Sequence, residues 1–188
     1  MNHLYTAATL FVFGFACFAS FSWGVKGHFR STGKMPPGMK LVSLLSLLGF
    51  MIFAGRLALM TLSPDAVLAL WLFVASLALF NWTINATRRT PPTLAFDTDK
   101  PVFLLLHGPY KYVRHPFYLS YMLFWTGTAV AFSGALPWLT PLVMLAVYQH
   151  AASREERKFA DSDFGNAYAA YRRRAGMFMP RPAIFLNG

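Results

Sequence analysis

The sequence GPYKYVRHPFY runs from Gly108 to Tyr118 and forms a polar, aromatic and basic island in an otherwise apolar chain. The chain has 188 residues, of which 56% are hydrophobic and only 13% are charged. Soluble domains carry about 25% charged residues, so this deficit indicates that lipid surrounds much of the protein. We therefore predict that hydrophobic helices hold the island at a membrane surface.

Five hydrophobic segments flank the island and predict an all-α integral membrane protein. They cover residues 3–23, 39–62, 66–86, 117–132 and 138–152. The first three are each about 20 residues long, which is the length of a helix that crosses the hydrocarbon core. The last two are shorter, but they can cross a tilted or locally thin bilayer. The turn at Pro137 makes these two segments an antiparallel hairpin.

The basic residues lie between the hydrophobic segments, on one predicted side of the membrane. Of the 17 Lys and Arg residues, 16 follow the first, third or fifth segment or lie in the tail. This bias places the N-terminus outside and the C-terminus in the cytoplasm. We expect a multi-pass protein of a bacterial inner membrane. The net charge of +10 then reflects topology and attraction to anionic lipids, and no nucleic-acid partner is expected.

Apart from Lys40 at its start, the second hydrophobic segment contains one basic residue, Arg56. We interpret it as a side chain that either extends to the outer headgroups or makes a structural hydrogen bond, because burying an unpaired Arg in lipid is costly. The single cysteine, Cys17, lies in an apolar run and is expected to be a small buried residue. With one cysteine and five scattered histidines, we predict no metal site.

The chain divides into two parts. Residues 1–86 form three N-terminal transmembrane helices, and residues 87–188 form a half that contains a long loop, the hairpin 117–152 and a polar tail. In this tail, Phe164, Tyr168 and Tyr171 recur at helical spacing and predict a helix over residues 164–175. Ser162 or Asp163 is expected to cap it. The helix is predicted either to lie on the membrane surface or to pack over the loop.

Residues with binding chemistry concentrate at two places. Arg114 and His115 precede Pro116, which fixes the start of the fourth helix, where unpaired backbone N–H groups favour a negative ligand. Glu155 and Glu156 follow the fifth helix. Since the two helices form a hairpin, we predict that these motifs meet and form a patch for a ligand with both signs of charge. The alternative is that both are ordinary solvated charges. Motifs for nucleotides, zinc proteases and serine hydrolases are absent.

The order of these motifs resembles the isoprenylcysteine carboxyl methyltransferase family, which is related to the phospholipid methyltransferases. The family pattern is close to G-x-Y-x-x-x-R-H-P-x-Y, a helical hairpin, E-E, F-G-x-x-Y-x-x-Y and a proline segment. The matching parts are residues 108–118, 155–156, 164–171 and 179–180. The chain departs from the pattern by one extra residue before Phe164, by Ala175-Gly176 in place of Val-Pro, and by Ala151 where eukaryotic members have an arginine.

The resemblance implies an S-adenosylmethionine-dependent methyltransferase with a cytoplasmic cofactor pocket closed by the C-terminal segment. The implied cofactor-binding residues are Val102, Phe103, Leu104, Leu105, Tyr110, His115, Pro116, Phe117, Tyr118 and Glu155. The implied catalytic residues are Arg114, Arg154 and Glu156. The expected acceptor is lipophilic and isoprenylcysteine-carboxylate-like, with a phospholipid amine or a thiol as alternatives. A different alternative is a non-enzymatic binding or transport component whose basic loop recruits anionic lipid.

Overall fold

Six α-helices make up most of the computed structural model, which describes residues 3–30, 35–59, 62–97 and 101–181. They are α1 (His3–Gly27), α2 (Pro37–Ala58), α3 (Ala66–Thr87), α4 (Pro116–Val130), α5 (Leu139–Ala160) and α6 (Gly165–Arg174). Short 3-10 turns, Gly108–Lys111 and Leu136–Trp138, precede α4 and α5. The described residues contain isolated β-bridges but no strand. The all-helical class predicted from the sequence is confirmed for this part of the chain.

Three helices, α1, α2 and α3, are long and apolar enough to cross a membrane. The shortest of them have 22 residues, which corresponds to about 33 Å at about 1.5 Å per residue. Their outer faces carry exposed large apolar side chains such as Phe15, Leu48 and Trp71, as expected of faces that contact lipid. The helix α4 has only 15 residues and α5 has a charged C-terminal part, so their membrane crossings remain a prediction.

The helices α3 and α4 pack closely at the centre of the bundle. A Cβ atom on Gly127 of α4 would lie 2.7 Å from the Phe73 ring of α3, so only glycine allows this approach. One polar contact joins the same helices, because the buried Ser76 hydroxyl donates to the Ser120 carbonyl at 2.7 Å. Small residues and hydroxyl groups of this kind are typical of helix contacts inside membranes. This contact fixes where α4 begins and therefore where the island lies.

The connections between helices alternate between the two ends of the bundle. At one end the turn after α2 pairs with the turn after α4, because the Ser63 amide donates to the Ala131 carbonyl at 2.9 Å. At the opposite end Arg30, after α1, forms a bridge with Thr93, after α3. The Lys158 ammonium of α5 donates to the Asp97 carbonyl there as well. The predicted basic segments therefore share one end of the bundle.

Arg56 lies in the last turn of α2, at the end of the bundle that carries few charges. Its guanidinium carbon lies 4.9 Å from the centre of the Phe132 ring in the turn after α4. A cation over an aromatic face is an attractive contact that needs no carboxylate. The structure thus places this charge near the end of the bundle, as the interpretation of an extended side chain requires.

The helix α5 is longer than the sequence predicted. The prediction ended the fifth segment at residue 152 and placed Glu155 and Glu156 after it, whereas α5 continues to Ala160 and contains both residues. The prediction was wrong here because it used hydrophobicity to mark the helix end. Arg, Glu and Lys are good helix formers, so the helix continues after the apolar part stops.

The tail helix is confirmed, with α6 at Gly165–Arg174 against the predicted 164–175. The prediction of its cap was wrong, because Phe164 is the N-cap residue and the helix has no side-chain cap. The Ser162 hydroxyl instead accepts a hydrogen bond from the Phe164 amide at 3.2 Å, one residue before the helix. The helix packs against α5 through stacked rings of Tyr168 and Phe159, whose centroids are 4.9 Å apart.

Candidate active site

A cavity of about 450 Å³ lies at the basic end of the bundle. Its walls come from α1, α2, α4, α5, α6 and the connection between α3 and α4. Pockets for small ligands commonly have volumes of about 300–1,000 Å³. The inner part is apolar and aromatic, with Phe18, Val42 and Trp125, whereas His115 and Glu155 supply charge at the outer part. The cavity can therefore take a ligand with one polar and one apolar region.

Most residues singled out from the sequence line this cavity. Nine of the ten predicted cofactor residues do so, namely Phe103, Leu104, Leu105, Tyr110, His115, Pro116, Phe117, Tyr118 and Glu155. Val102 is 68% exposed and is not among the lining residues. Of the three predicted catalytic residues, Arg114 lines the cavity and Glu156 is buried against Arg114. Arg154 is exposed, with its guanidinium 5.9 Å from the centre of the Phe96 ring.

The island holds its shape through a tight turn before α4. Gly108 has a φ of 58°, a left-handed conformation that glycine adopts without steric cost. The Tyr110 amide then donates to the His107 carbonyl at 3.2 Å, which closes the 3-10 turn. Pro116 follows at the first position of α4, where proline is tolerated because the missing N–H would be unpaired. Together these residues direct Tyr110 and His115 into the cavity wall.

The two charged motifs meet as predicted. Arg114 Nε donates to Glu156 Oε1 at 2.8 Å, and Arg114 Nη2 lies 2.8 Å from the same oxygen. Both side chains are buried, at 6% and 7% exposure. Arg114 Nη1 also donates to the Ala175 carbonyl at 2.6 Å. One guanidinium thus connects the start of α4, the end of α5 and the tail.

His115 lies between the two carboxylates. Its Nε2 atom is 3.2 Å from Glu156 Oε1, and its Nδ1 atom is 3.5 Å from Glu155 Oε2. Burial alone would lower the pKa of His115, but the hydrogen bonds and charges of Glu155 and Glu156 raise it above its ordinary value. Burial alone would raise the pKa of Glu156, but His115 and Arg114 lower it to about 2. The contacts with the two carboxylates therefore favour the protonated form of the ring.

The two glutamates have different surroundings. Glu156 is shared by Arg114, His115 and also Arg172, whose Nε atom lies 3.4 Å from Glu156 Oε2. Glu155 lines the cavity, is 33% exposed at its side chain, and accepts a hydrogen bond from the Tyr118 hydroxyl. Glu156 is therefore surrounded by basic side chains, whereas Glu155, which contacts His115 and Tyr118, also faces the space that a ligand would fill.

The tail lies directly on the island. The Arg114 amide donates to the Gly176 carbonyl at 2.8 Å, and the Gly176 amide donates to the Tyr112 carbonyl at 3.3 Å. The Tyr171 hydroxyl of α6 donates to the Tyr110 carbonyl at 2.7 Å. Of the two predicted positions for the tail helix, the structure shows packing over the loop, because α6 and the segment after it cover this end of the cavity.

A family model described as phospholipid methyltransferase matches residues 64–167, which is more than half of the chain. The chain belongs to the phospholipid methyltransferase family. The matched region includes both motifs and extends from the start of α3 into α6. Comparison with curated proteins and with solved structures finds no match. Membership of this family, together with the apolar helices α1 to α3, makes the protein a membrane methyltransferase.

The phospholipid methyltransferase match leaves α1 and α2 outside its range, yet both helices contribute to the cavity. Phe18 and Phe21 of α1, and Val42 and Ser46 of α2, line its inner part. The sequence analysis assigned these helices only a membrane role, because side chains inside an apolar helix carry no motif. The family region therefore supplies His115 and Glu155, and the N-terminal helices complete the cavity with mainly apolar and hydroxyl side chains.

Other aromatic residues of the cavity were not predicted either, among them Tyr121, Tyr148 and Phe96. Tyr121 and Tyr148 lie near Tyr118, and the Tyr118 and Tyr148 rings stack with centroids 5.5 Å apart. Helical spacing could have indicated both, since Tyr121 is three residues after Tyr118 and Tyr148 is seven before Glu155. Phe96 also lines the cavity, and its backbone has a φ of 65°. No sequence pattern of this chain indicates either feature.

Proposed function

We propose that the protein transfers a methyl group from S-adenosylmethionine to a lipophilic acceptor that reaches the cavity from the bilayer. Membership of a methyltransferase family supports the reaction type. The observation that carries the proposal is the position of Glu155, a carboxylate that lines the cavity while Glu156 beside it is compensated by cations. A site of this kind suits a ligand that brings its own positive charge.

The lining residues fit the chemistry of S-adenosylmethionine, which combines a flat base, an ammonium group and a carboxylate. Glu155 would bind the ammonium group, since a charge-assisted hydrogen bond is stronger than a neutral one. His115, whose pKa the two glutamates raise, would lie close to the carboxylate. The apolar residues Leu104 and Leu105, with Tyr110, would contact the base. The cavity volume of about 450 Å³ is large enough for a ligand of this size.

When bound, S-adenosylmethionine would supply an electrophilic methyl group on a positively charged sulfur. The residues of this chain would contribute alignment and dehydration, which are the main requirements of an in-line displacement. The tail would exclude water by its hydrogen bonds to the island, and Arg114 would hold it there through the Ala175 carbonyl. In this proposal Arg114 and Glu156 are positioning residues, because their charged groups bind each other.

The inner part of the cavity supports a lipophilic acceptor. Apolar residues of α1 and α2, such as Phe18 and Val42, continue the cavity from its charged part into the bundle. The motif order favours an isoprenylcysteine-like carboxylate as acceptor, and a phospholipid amine or a thiol is the alternative. Arg154, stacked on Phe96 beside the cavity, is the arginine that we propose to attract an anionic acceptor.

The proposal is tested by incubating the purified protein in lipid nanodiscs with S-adenosylmethionine carrying a labelled methyl group. Lipid extracts of the expression host serve as the source of acceptors, and mass spectrometry identifies the labelled product. We expect a labelled lipophilic product with the wild type and much less of it with Glu155→Gln, at a cofactor concentration near the affinity of the wild type. Asp161→Asn, an exposed acidic residue just after α5, is the matched control and should label normally. Labelling that is the same with Glu155→Gln as with the wild type would contradict the proposal.

The non-enzymatic alternative makes a different prediction. A component that only recruits anionic lipid would bind vesicles in a salt-dependent manner and would ignore S-adenosylmethionine. Vesicle binding should therefore be measured with and without the cofactor at several salt concentrations. The proposal expects that cofactor binding persists at high salt, since Glu155 and His115 are partly or fully buried.

A further inference from the structure

A second concave surface lies outside the cavity, on the outer face of α3 and α4. It is a groove of about 310 Å³ lined by Leu79, Trp82, Pro109, Tyr112, Val113, Leu119 and Pro180. Trp82 is 47% exposed and Tyr112 is 36% exposed, so the groove opens to the surroundings of the bundle. No residue of the groove is charged. Such a surface on a membrane helix is suited to a hydrocarbon chain.

Basic residues lie next to the end of this groove. On α3, Leu79, Trp82 and Ala86 follow the spacing of three and four residues that places side chains on one helix face, and Arg89 lies two residues after the end of this helix at Thr87. The end of α3 at Thr87 lies about 7.5 Å beyond Trp82 along the helix axis, at about 1.5 Å per residue. Lys111 lies in the turn between Pro109 and Tyr112, two groove residues. Both Arg89 and Lys111 are exposed.

The turn that carries Lys111 is in direct contact with the last part of α3, the helix that Arg89 follows in the chain. A ring nitrogen of His107, Nε2, lies 2.8 Å from the Ala86 carbonyl, and a Cβ atom on Gly108 would lie 2.8 Å from the Ala86 Cβ. The Tyr112 and Trp82 rings are 6.1 Å apart between centroids. Tryptophan and tyrosine prefer the headgroup level of a membrane, with cations just beyond them.

We propose that this groove binds one anionic phospholipid, with an acyl chain along Leu79, Trp82 and Leu119 and the phosphate near Arg89 and Lys111. The charge complementarity between an anionic headgroup and these cations selects a phospholipid over a neutral lipid. The site is separate from the cavity and does not depend on the proposed reaction. It is a lipid-binding site for a structural or regulatory lipid and not for the methyl acceptor.

The position of the groove links a bound lipid to the cavity. The turn Gly108–Lys111 places Pro109 in the groove and Tyr110 in the cavity, so one short element forms a wall of each. Pro180, which follows the tail segment that pairs with the island, forms another wall of the groove. A lipid in the groove would therefore contact both the turn and the tail, and would hold the tail in its closed position.

Native mass spectrometry of the detergent-solubilised protein tests this site. The protein is incubated with phosphatidylglycerol or with phosphatidylcholine of the same acyl chains, and the retained lipids are counted. We expect the wild type to retain one phosphatidylglycerol, at an occupancy at least about tenfold above phosphatidylcholine. Trp82→Ala should lose this retention. Trp71→Ala is the control, because Trp71 is exposed on the same face of α3, eleven residues away and outside the groove.

A second pair of variants tests the headgroup contact. The test variant combines Arg89→Gln with Lys111→Gln, and it should abolish the preference for phosphatidylglycerol. The control variant combines Lys40→Gln with Arg157→Gln, which removes the same amount of charge from exposed positions elsewhere, and it should keep the preference. The proposal would be overturned if the wild type retained both lipids equally. It would also be overturned if the test and control variants lost the same amount of bound phosphatidylglycerol. Neither result would bear on methyl transfer, because the assay contains no cofactor.

Discussion

Arg114 and Glu156 are 42 positions apart in the chain, yet Arg114 Nε donates to Glu156 Oε1 at 2.8 Å in a buried contact. The pair joins the start of α4 to the last part of α5, and Arg114 also donates to the Ala175 carbonyl. It therefore sets the shape of the charged wall around Glu155 and His115, and the charges of Arg114 and Glu156 compensate each other. This relationship has consequences for stability that can be measured.

Breaking the pair on one side should destabilise the protein strongly. Glu156→Leu leaves a buried guanidinium without its carboxylate, and loss of one partner of a buried ion pair typically costs about 3–5 kcal/mol. The double variant Arg114→Met with Glu156→Leu should recover much of this loss, since it leaves no buried charge. Thermal unfolding in detergent provides the comparison. A single variant as stable as the wild type would show that the pair is not a structural contact.

Stability should also depend on pH through His115. Its pKa in the folded protein lies above the ordinary value of 6.5, owing to Glu155 and Glu156 acting against burial. A raised pKa in the folded state contributes stability that is complete below about pH 6.5 and is lost as the pH rises through the folded value. The wild type should therefore lose stability on going from neutral to alkaline pH. His115→Asn should have a flatter profile in this range, and an unchanged slope would contradict the assignment.

The lowered pKa of Glu156 predicts the opposite dependence of stability on pH in the acid range. Its pKa is lowered to about 2, again with burial opposing the hydrogen bonds from His115 and Arg114. A lowered pKa gives stability that is present above the ordinary carboxyl value of 4.5 and is lost as the pH falls towards 2. Denaturant unfolding between pH 5 and pH 2 should show this loss in the wild type. Glu156→Leu should be less stable at pH 5 and should lose less on acidification.

Phe96 offers a test of backbone strain beside the cavity. Its φ of 65° is a left-handed conformation that costs a residue with a side chain about 1–2 kcal/mol. Phe96→Ala removes the ring but keeps the strain, whereas Phe96→Gly removes both. We expect the glycine variant to be the more stable of the two by about 1 kcal/mol, the reverse of the usual order. The unfolding midpoints of the two variants in denaturant provide the comparison. If the alanine variant were the more stable, residue 96 would not have a left-handed backbone conformation.

The number of crossings can be tested by labelling single cysteines. The native Cys17 is fully buried and should stay unlabelled, so an introduced cysteine reports its own side. Five crossings predict that a membrane-impermeant maleimide labels His3→Cys and Ser133→Cys in intact cells and Arg173→Cys only after permeabilisation. Ser133, in the turn after α4, is the deciding position. If it were labelled only from the cytoplasm, α4 and α5 would not cross the membrane.

The sequence predicted the helical class, the three long apolar helices and the contact between the two charged motifs. The contact followed from the hairpin alone, because the ends of two antiparallel neighbours must meet. Two features did not follow. The continuation of α5 through Glu155 and Glu156 depends on helix propensity and not on hydrophobicity, which the prediction used. The roles of Phe18 and Val42 in the cavity depend on which apolar face turns inward, and a helix that is apolar all round carries no such signal.

The central claim is that Glu155 is the ligand-facing carboxylate of an S-adenosylmethionine site, and isothermal titration in detergent tests it most directly. The wild type and Asp161→Asn should bind S-adenosylmethionine and its demethylated product. Glu155→Gln, which keeps the size of the side chain but removes its charge, should bind about 10–100-fold more weakly, as expected for a lost charge-assisted hydrogen bond. Absence of binding by the folded wild type, or equal affinity in folded Glu155→Gln, would contradict the claim.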